Sequence, residues 1–550
     1  MRGFHMFRIT TIAVLLTSSS LTADLVQINM DQSISTHPIL TGTETTTWRY
    51  TGQVMQGPTS ALTVIPNSYL GPIIHVNTGD EVRIHMQNNL AYESTTHWHG
   101  LDIPDAVDGH PKDAMPAGGS YDYDFIVRNR AATYWYHPHP DMMTGEQVYR
   151  GLASFFIVSD AAEQALDLPR GEFDLPLCIQ DATFSASNQL DYGNQTMSGF
   201  FGDTTLVNGN VNYNYSAATR IYRLRLLNGS QSRILKLAFS DGTPMVVIGV
   251  DGGLLEAPEE YPYLIMGPGE RLEVWADFSN KNVGDVLSLN TLAFSDNTGP
   301  GQGVAKSLMT FTIDRAESET LVLPTTLVPM GEVFNAADIQ GQKTWAINFS
   351  FGNFFINGGP FSMFYAASNE QSPGDALEMV TITNTSGMLK YAHPMHFHGR
   401  QFQIYSRSIT SQGATGYNTV KDGLVDSGWQ DTFVIMPYET VKYLVRWSRH
   451  PGLFMYHCHN LPHEDMGMMR NFHVLDTTCP SDLTHDAMVD VSDFLEVIAN
   501  WGTPFGDVTG DDLTNVNDVL ATISDWGICN AGFRDIPNTN KPTISLPSKK

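Results

Sequence analysis

The sequence predicts an all-β protein built from three β-sandwich units, followed by a small helical module. Its 550 residues, its short runs of alternating polarity and its change of composition after Cys479 support this fold class. At about 150 residues per domain, the length fits three or four domains. Alternating runs such as EVRIHMQ, in which Val82, Ile84 and Met86 share one face, are typical of half-buried antiparallel strands.

The first element, residues 1–23, has the pattern of an export signal. Arg2 and Arg8 lie around the start of an apolar run from Ile9 to Leu16, and small residues follow as far as Ala23. No later apolar run approaches the roughly 20 residues of a membrane span. We therefore expect a secreted or periplasmic protein without a membrane span, with attachment to the cell surface as a further option.

A repeated segment divides the strand-rich region. DEVRIHMQNN begins at Asp80, TRIYRLRLLN at Thr219 and DALEMVTITN at Asp375. Such self-similarity favours three copies of one sandwich unit, although strands that end in Asn turns also recur by chance in all-β proteins. With the polar stretches between them, these segments predict units at 24–162, 163–320 and 321–477.

The charge balance argues against nucleic acid and anionic membranes as partners. The chain has 31 basic and 58 acidic residues and a formal net charge of -27, whereas both partners need basic patches. The acidic residues are explained by a solvated surface. We expect a monomer.

Four His-x-His pairs are the strongest chemical signal in the sequence. In a strand, residues two apart point to the same side and lie roughly 6.6 Å apart along the strand, so both members of a pair can reach adjacent metals. One such pair is more often structural, but four pairs predict a polynuclear metal site. The pairs are His97 and His99, His137 and His139, His396 and His398, and His457 and His459.

Cys458 lies between the two histidines of the last pair and therefore faces the opposite side. His393, His463 and Met468 are its available partners. A thiolate, two imidazoles and a weak thioether suit a blue copper site, in which the metal-bound cysteine cannot form a disulfide. Zinc is the nearest rival, but eight further imidazoles exceed its tetrahedral demand.

These motifs resemble those of the multicopper oxidases, in their three-domain bacterial laccase and cuprous-oxidase branch. The resemblance spans Asp24 to Asp476 and rests on HWHG, HPH, HPMHFHG and HCHNLPHEDMGM. It implies three cupredoxin-like Greek-key β-sandwich domains. It also implies one type 1 copper in the third domain, and a cluster of one type 2 and two type 3 coppers between the first and third.

The resemblance assigns a ligand set to each copper. Type 1 copper would be bound by His393, Cys458 and His463, with Met468 axial, and type 2 copper by His97 and His396. The two type 3 coppers would share the remaining histidines, His99, His137, His139, His398, His457 and His459. Asp108 and Glu464 would relay the protons that dioxygen reduction consumes, although both could instead orient ligands or cap turns.

The resemblance also implies a reaction, namely one-electron oxidation of small reductants coupled to four-electron reduction of dioxygen to water. Electrons would be donated at the exposed edge of His463. Phenols or aromatic amines are the leading donors. Cuprous ion comes second, because the sequence has no long methionine-rich insertion. Copper storage or electron transfer without turnover, and nitrite reduction, are weaker alternatives.

The final element, residues 478–530, is an acidic module with an internal repeat. From Cys479 to Cys529 it has ten acidic residues and no Lys or Arg, and its two halves repeat every 25 residues. Each half fits a 12-residue calcium loop followed by a short helix. The expected ligands are Asp482, Thr484, Asp486, Asp490 and Asp493 in the first loop and Asp507, Thr509, Asp511, Asn515 and Asp518 in the second.

The duplicated loops resemble those of dockerin modules, which implies calcium and a docking partner. The alternative is a solvated acidic tail. We expect Cys479 and Cys529 to form a disulfide that closes the module, and Cys178 to be a buried strand thiol. Residues 531–550 are expected to be a polar tail.

Overall fold

The computed structural model describes residues 24–295, 301–350, 353–385, 390–476, 479–484, 488–503, 506–509 and 513–528. The predicted signal segment, the polar tail, Cys529, Asp486 and Asp511 lie outside the described residues. The described chain is mostly β, and its strands form three successive pairs of large sheets. We call these pairs the first, second and third sandwich; the boundaries near 162 and 320 stay predictions.

The first sandwich has sheets of four and five strands around one apolar core, to which Val82, Ile84 and Met86 contribute as predicted. In spatial order, the four-stranded sheet contains Thr45–Gln56, Leu25–His37, Glu81–Asn88 and Ser120–Ile126. The five-stranded sheet contains Leu62–Thr63, Ile73–Asn77, Ser154–Ser159, Ala132–His137 and His97–His99.

The second sandwich has sheets of seven and five strands around its own core. The larger sheet contains Asn210–Val211, Thr204–Val207, Asp174–Ala182, Ile221–Asn228, Arg271–Asp277, Met245–Val250 and Gly253–Tyr261. The smaller sheet contains Asn214–Ala218, Lys306–Arg315, Val286–Thr291, Leu235–Phe239 and Leu264–Met266. Cys178 lies fully buried as a free thiol in this sandwich, which confirms its prediction.

The third sandwich packs two five-stranded sheets around an aromatic core that includes Cys458 and Met468. One sheet contains Asn353–Ile356, Gly341–Ser350, Leu377–Asn384, Glu439–Arg446 and Phe402–Ile409. The other contains Gln371–Pro373, Met469–Leu475, Gly452–Cys458, His393–Phe397 and Thr432–Ile435.

The three repeated segments of the sequence form equivalent strands, namely Glu81–Asn88, Ile221–Asn228 and Leu377–Asn384. Each pairs in parallel with the first long strand of its sandwich and antiparallel with a later one. The alternating pattern predicted antiparallel pairing alone, and the parallel pairs correct it. The long connection between each parallel pair leaves room for the crossover that parallel strands need.

The helices are short. The α-helices of the three sandwiches are Thr144–Tyr149, Ala161–Gln164, Ala414–Tyr417 and Leu461–Asp465. The 3₁₀ helices are Thr59–Ala61, Asp105–Val107, Pro111–Asp113, Gly171–Phe173, Ala336–Asp338, Ser368–Glu370 and Lys421–Gly423. Among the described residues, every helix is too short or too polar to cross a lipid bilayer.

The two halves of the C-terminal segment fold alike. Helices Val491–Ala499 and Val516–Ser524 each begin at a capping box, and strand Met488–Val489 pairs with Gly527–Ile528. These two helices occur where the repeat predicts them. Cys479 is disulfide-bonded, as expected, while its predicted partner lies outside the described residues.

Candidate metal centres

Four short strands bring the paired histidines together between the first and third sandwiches. Strand His97–His99 lies beside Ala132–His137, with His97 opposite His137. Strand His393–Phe397 lies beside Gly452–Cys458, so that His396 is opposite His457. All eight paired histidines are at most 1% exposed. They form three groups that face one another.

His97 and His396 form the first group. Their Nε2 atoms lie 3.3 Å apart, although they belong to different sandwiches. The Nδ1 of His97 is 2.7 Å from the carbonyl oxygen of Asp108, and the Nδ1 of His396 is 2.9 Å from that of Asp431. Because a carbonyl accepts a hydrogen bond from each Nδ1–H, each Nε2 keeps a lone pair that is directed into the gap.

His139, His398 and His457 form the second group. The Nε2 of His457 lies 3.3 Å from that of His139 and 3.2 Å from that of His398. The Nδ1 of His398 donates to Asp108 Oδ2 at 2.8 Å, and the Nδ1 of His457 lies 3.0 Å from Glu464 Oε2. The two predicted relay carboxylates therefore contact the same group of histidines.

His99, His137 and His459 form the third group, with ring centroids 5.1 to 5.7 Å apart. Several of their nitrogens have no hydrogen-bond partner within the described parts of the chain, although they are buried. These nitrogens are Nδ1 of His99, Nε2 of His137, and both ring nitrogens of His459. Buried polar atoms of native proteins almost always have a partner, so these nitrogens fit a bound cation.

Burial determines the protonation of these imidazoles. It lowers the pKa of six of the eight rings well below 6.5, and neighbouring imidazoles lower it further; the six are His99, His137, His139, His396, His398 and His459. These six rings are therefore neutral at pH 7, which is the form that binds metal. This donor set fits a cluster of several metal ions.

A second site lies inside the third sandwich, on the opposite side of strand Gly452–Cys458. Cys458 Sγ is 3.3 Å from His393 Nδ1 and 3.8 Å from His463 Nδ1. Met468 is fully buried in the same core, and its carbonyl accepts from the backbone N–H of Cys458 at 3.1 Å. Burial raises the pKa of the Cys458 thiol, so a bound cation is needed to stabilise its thiolate.

His463 does not have the exposed edge that the sequence analysis expected. Its ring is fully buried, and its Nε2 lies 3.0 Å from the carbonyl oxygen of Met197, a residue of the second sandwich. Phe354 covers the ring with a centroid distance of 4.3 Å, and Tyr391 lies at 5.9 Å. The expectation was wrong because the sequence gives no sign of which distant segment packs there.

Two family models described as multicopper oxidase match residues 45–163 and 334–478. The multicopper oxidase mco of Staphylococcus haemolyticus is 33% identical over 407 residues, which cover 73% of this chain and 81% of that protein. The chain belongs to the multicopper oxidase family. Membership of this family implies copper, and the histidine groups described above could bind metal; small reductants and dioxygen are the reactants that multicopper oxidases use.

Two further similarities support the predicted cupredoxin-like architecture. The laccase of Bacillus stratosphericus is 27% identical over 479 residues, which cover 76% of this chain and 91% of that protein. The McoA multicopper oxidase of Aquifex aeolicus has a crystal structure with a TM-score of 0.71 at 32% identity, covering 82% of this chain and 98% of that one. The family models end at residue 478, so they lend no support to a dockerin-like module.

The structure adds a carboxylate that the sequence analysis of this multicopper oxidase missed. Asp431 Oδ1 lies 3.0 Å from His99 Nε2, and Thr432 Oγ1 lies 3.1 Å from His396 Nδ1. Both oxygens of Asp431 accept from Arg271 of the second sandwich, at 2.6 and 2.5 Å. Because this carboxylate is held by a guanidinium, it orients histidines rather than binding metal. A charged residue two positions before the apolar run FVIM was the available signal.

Proposed function

We propose that this multicopper oxidase oxidises small organic reductants, with phenols or aromatic amines favoured, and reduces dioxygen to water. Four donors give one electron each, and one dioxygen with four protons gives two waters. The observation that carries the proposal is the tripeptide His457–Cys458–His459, which directly joins the two metal sites. Bound copper would supply the one-electron chemistry and the place where dioxygen is reduced.

We propose ligands from the three groups and the thiol site. His393, Cys458 and His463, with Met468 as a weak fourth donor, suit type 1 copper, because soft sulfur favours Cu(I). The facing Nε2 atoms of His97 and His396 suit type 2 copper. The remaining six histidines divide into two groups of three, one for each type 3 copper. Four coppers per chain result.

The carboxylates Asp108 and Glu464 are proposed to supply protons at the cluster. Asp108 Oδ2 is hydrogen-bonded to His398, and Asp108 Oδ1 lies 3.4 Å from His97 Nδ1 without a hydrogen bond among the described residues. Burial raises the pKa of Asp108, which favours holding a proton until it is needed. Glu464 Oε1 lies 3.4 Å from His139 Nε2, so the two acids flank one group of histidines.

Aromatic donors are favoured because apolar and aromatic side chains surround the type 1 ligand His463, and because a laccase is among the relatives. Cuprous ion is the alternative donor, since thioethers also lie near the ligands, with Met466 37% and Met142 70% exposed. Copper storage without turnover is less favoured, because storage does not need a direct connection between two sites.

The test is oxygen uptake by copper-loaded protein with a diphenol and with Cu(I), recorded beside the visible spectrum and the copper content. We expect blue absorption, about four coppers per chain from the ligand count, and faster uptake with the diphenol. Faster uptake with Cu(I) would show that cuprous ion, and not a phenol or an aromatic amine, is the favoured donor. A blue, fully loaded protein that consumes no oxygen with either donor would favour storage.

We also propose that residues 478–530 bind calcium and attach the oxidase to a partner. The two halves match in detail: Asp493 accepts from the backbone N–H of Thr484 at 2.8 Å, and Asp518 from that of Thr509 at 2.9 Å. Each loop is thereby closed onto its helix. The disulfide at Cys479 supports a location in an oxidising compartment outside the cytoplasm.

Apolar side chains support the attachment role. Four pairs of exposed apolar residues recur with the 25-residue spacing, namely Val491 and Val516, Leu495 and Leu520, Ile498 and Ile523, and Trp501 and Trp526. Calcium titration of the full chain by calorimetry should show binding that Asp482→Ala with Asp507→Ala removes. Heat changes that are equal in the wild-type protein and in this variant would reject the calcium proposal.

A further inference from the structure

A tight turn of the second sandwich lies over the ring of His463. Thr196 and Gly199 exchange backbone hydrogen bonds of 3.0 and 2.9 Å, and the Thr196 hydroxyl also donates to the Gly199 carbonyl at 3.0 Å. Met197 and Ser198 form the tip of this turn. Three hydrogen bonds over four residues give the tip a defined shape.

Both carbonyl groups at the tip are directed at the type 1 ligand loop. The carbonyl of Met197 lies 3.0 Å from His463 Nε2, and that of Ser198 accepts from Asn460 Nδ2 at 3.2 Å. Because His463 Nδ1 faces Cys458 Sγ, Nδ1 is the nitrogen left to bind metal. Nε2 then carries the proton and donates a hydrogen bond to the carbonyl of Met197.

Ser232 also stabilises the position of the turn. Ser232 donates to Asn460 Oδ1 at 2.8 Å and accepts from the backbone N–H of Phe200 at 2.9 Å. Gly199 has a φ of +118°, and a Cβ there would lie 2.3 Å from Ser232 Oγ and 2.8 Å from Asn460 Nδ2. This close approach requires glycine, so the contact between the turn and the ligand loop is specific.

The outer side of the turn faces solvent. Residues 193–196 are exposed and Met197 is half-buried, whereas His463 is 0% exposed. Met197 also packs on the core of the third sandwich. A donor that approaches from solvent on this side therefore meets Met197 before it can meet the imidazole.

We propose that Met197 is a specificity-determining residue, and that aromatic donors bind against its side chain and backbone amide rather than against the edge of His463. The inference rests on the oxidase function proposed above. A thioether packs favourably on an aromatic ring, and a small inorganic donor has no such contact to make. Each donor loses one electron, no bond forms to the protein, and dioxygen remains the oxidant.

The first test compares Met197→Ala with the wild-type protein. We expect the KM for a diphenol to rise about three- to tenfold, as the loss of one thioether–aromatic contact implies. The kcat, the blue absorption and the KM for ferrocyanide should not change. Binding of the diphenol to copper-free protein without oxygen, measured by calorimetry, should weaken by the same factor. Met55→Ala, at an exposed methionine of the first sandwich, is the matched control.

Each other outcome overturns the assignment. An unchanged or lower KM for the diphenol, or an equal rise for both donors, would show that Met197 makes no donor contact. Absence of oxygen uptake by the wild-type protein would contradict the oxidase function instead, and the calorimetry on copper-free protein would still test Met197. The two failures are therefore distinguishable.

A second variant, Gly199→Ala, tests whether the position of the turn over His463 matters for donor binding. Its Cβ collides with Ser232 and Asn460 and should displace the turn from His463. Because the displaced turn carries Met197 with it, we expect kcat/KM for the diphenol to fall relative to that for ferrocyanide. Gly242→Ala is the control, because its φ is +79° but nothing lies within 4 Å of the added Cβ. An unchanged ratio of kcat/KM for the two donors, or a ratio that rises for the diphenol, would show that the turn does not bind the aromatic donor.

Discussion

The proposed type 1 site and the histidine cluster meet at neighbouring residues of strand Gly452–Cys458, namely Cys458 and His457, yet their surroundings differ. Around His393, Cys458 and His463 the structure places apolar and aromatic side chains. Around the cluster it places three buried carboxylates, Asp108, Asp431 and Glu464. This difference agrees with the proposed function, in which protons are consumed at the cluster and electrons alone are exchanged at the type 1 site.

The second sandwich supports the two sites by different interactions. At the cluster it supplies the guanidinium of Arg271, which holds Asp431 against His99. At the type 1 site it supplies the backbone carbonyl of Met197 to His463. A sandwich to which no copper ligand is assigned thus contacts ligands of both sites, by charge at the cluster and by a neutral amide at the type 1 site.

The largest expected effect comes from Cys458→Ser, which removes the sulfur donor that only the type 1 site has. Because a hydroxyl does not replace a thiolate for Cu(I), oxygen uptake should fall to background and the blue absorption should vanish. The copper content should fall from about four to about three per chain, as the unchanged cluster ligands imply. Cys178→Ser, at the other buried free thiol, should keep the blue colour. If Cys458→Ser still oxidises the diphenol, Cys458 does not take part in the reaction.

Asp431→Asn tests the charged support of the cluster. It removes the bidentate partner of buried Arg271, which keeps only the Asp251 carboxylate at 3.4 Å, so the free energy of unfolding of the copper-free protein should fall by about 3 kcal/mol, the lower end for a broken buried pair. Urea unfolding measures this. Glu332→Gln, which removes the exposed partner of Arg446, should cost less than about 1 kcal/mol. Equal losses of unfolding free energy in the two variants would mean that the buried pair of Asp431 and Arg271 stabilises the protein no more than the exposed pair does.

Asp108→Asn tests the carboxylate that contacts the cluster directly. The amide cannot supply a proton, so dioxygen reduction should slow about 10- to 100-fold, or about 1.4 to 2.7 kcal/mol. The type 1 spectrum should not change, because the Asp108 carboxylate contacts His398 and His97 of the cluster and, within the described residues, no proposed type 1 ligand. Steady-state rates with dioxygen limiting measure the effect, and Asp113→Asn is the control. A wild-type rate in Asp108→Asn would remove this acid from the relay.

Local spacing predicted much of the fold and of the candidate sites. The two-residue spacing of His97 and His99 places both rings on one side of a strand, and the structure places them there, next to the cluster. The same rule correctly directed Cys458 away from His457. The repeated segments ending at Asn89, Asn228 and Asn384 correctly indicated equivalent strands.

Contacts between distant segments could not be predicted in this way. Arg271 and Asp431 are 160 residues apart, and Met197 and His463 are 266 apart. Neither pair leaves a periodic or local pattern, because the contact depends on how two sandwiches pack. For the same reason, the sequence analysis expected an exposed His463 and missed the parallel pairing of the repeated strands.

The smallest expected effect concerns His110, which lies two residues after Asp108 and joins the first sandwich to the third. Its Nε2 pairs with Asn471 Oδ1 at 3.0 Å, and its Nδ1 accepts from the backbone N–H of Lys112 at 3.0 Å. Burial, followed by the charge of Lys112, lowers the pKa of His110 from 6.5 to about 4.

Below pH 6.5 the unfolded chain therefore takes up a proton at His110 that the folded chain does not. Stability from this group is complete above pH 6.5 and falls as the pH drops towards 4, by up to about 1.4 kcal/mol per pH unit. His110→Gln cannot titrate at this position. Urea unfolding of the copper-free variant at pH 7, 6 and 5 should therefore show a correspondingly smaller slope of the free energy of unfolding against pH. His85→Gln, at an exposed ring paired with Asp122, should keep most of the wild-type slope. If His110→Gln and the wild-type protein share one slope, this part of the contact between the sandwiches is not a source of acid sensitivity.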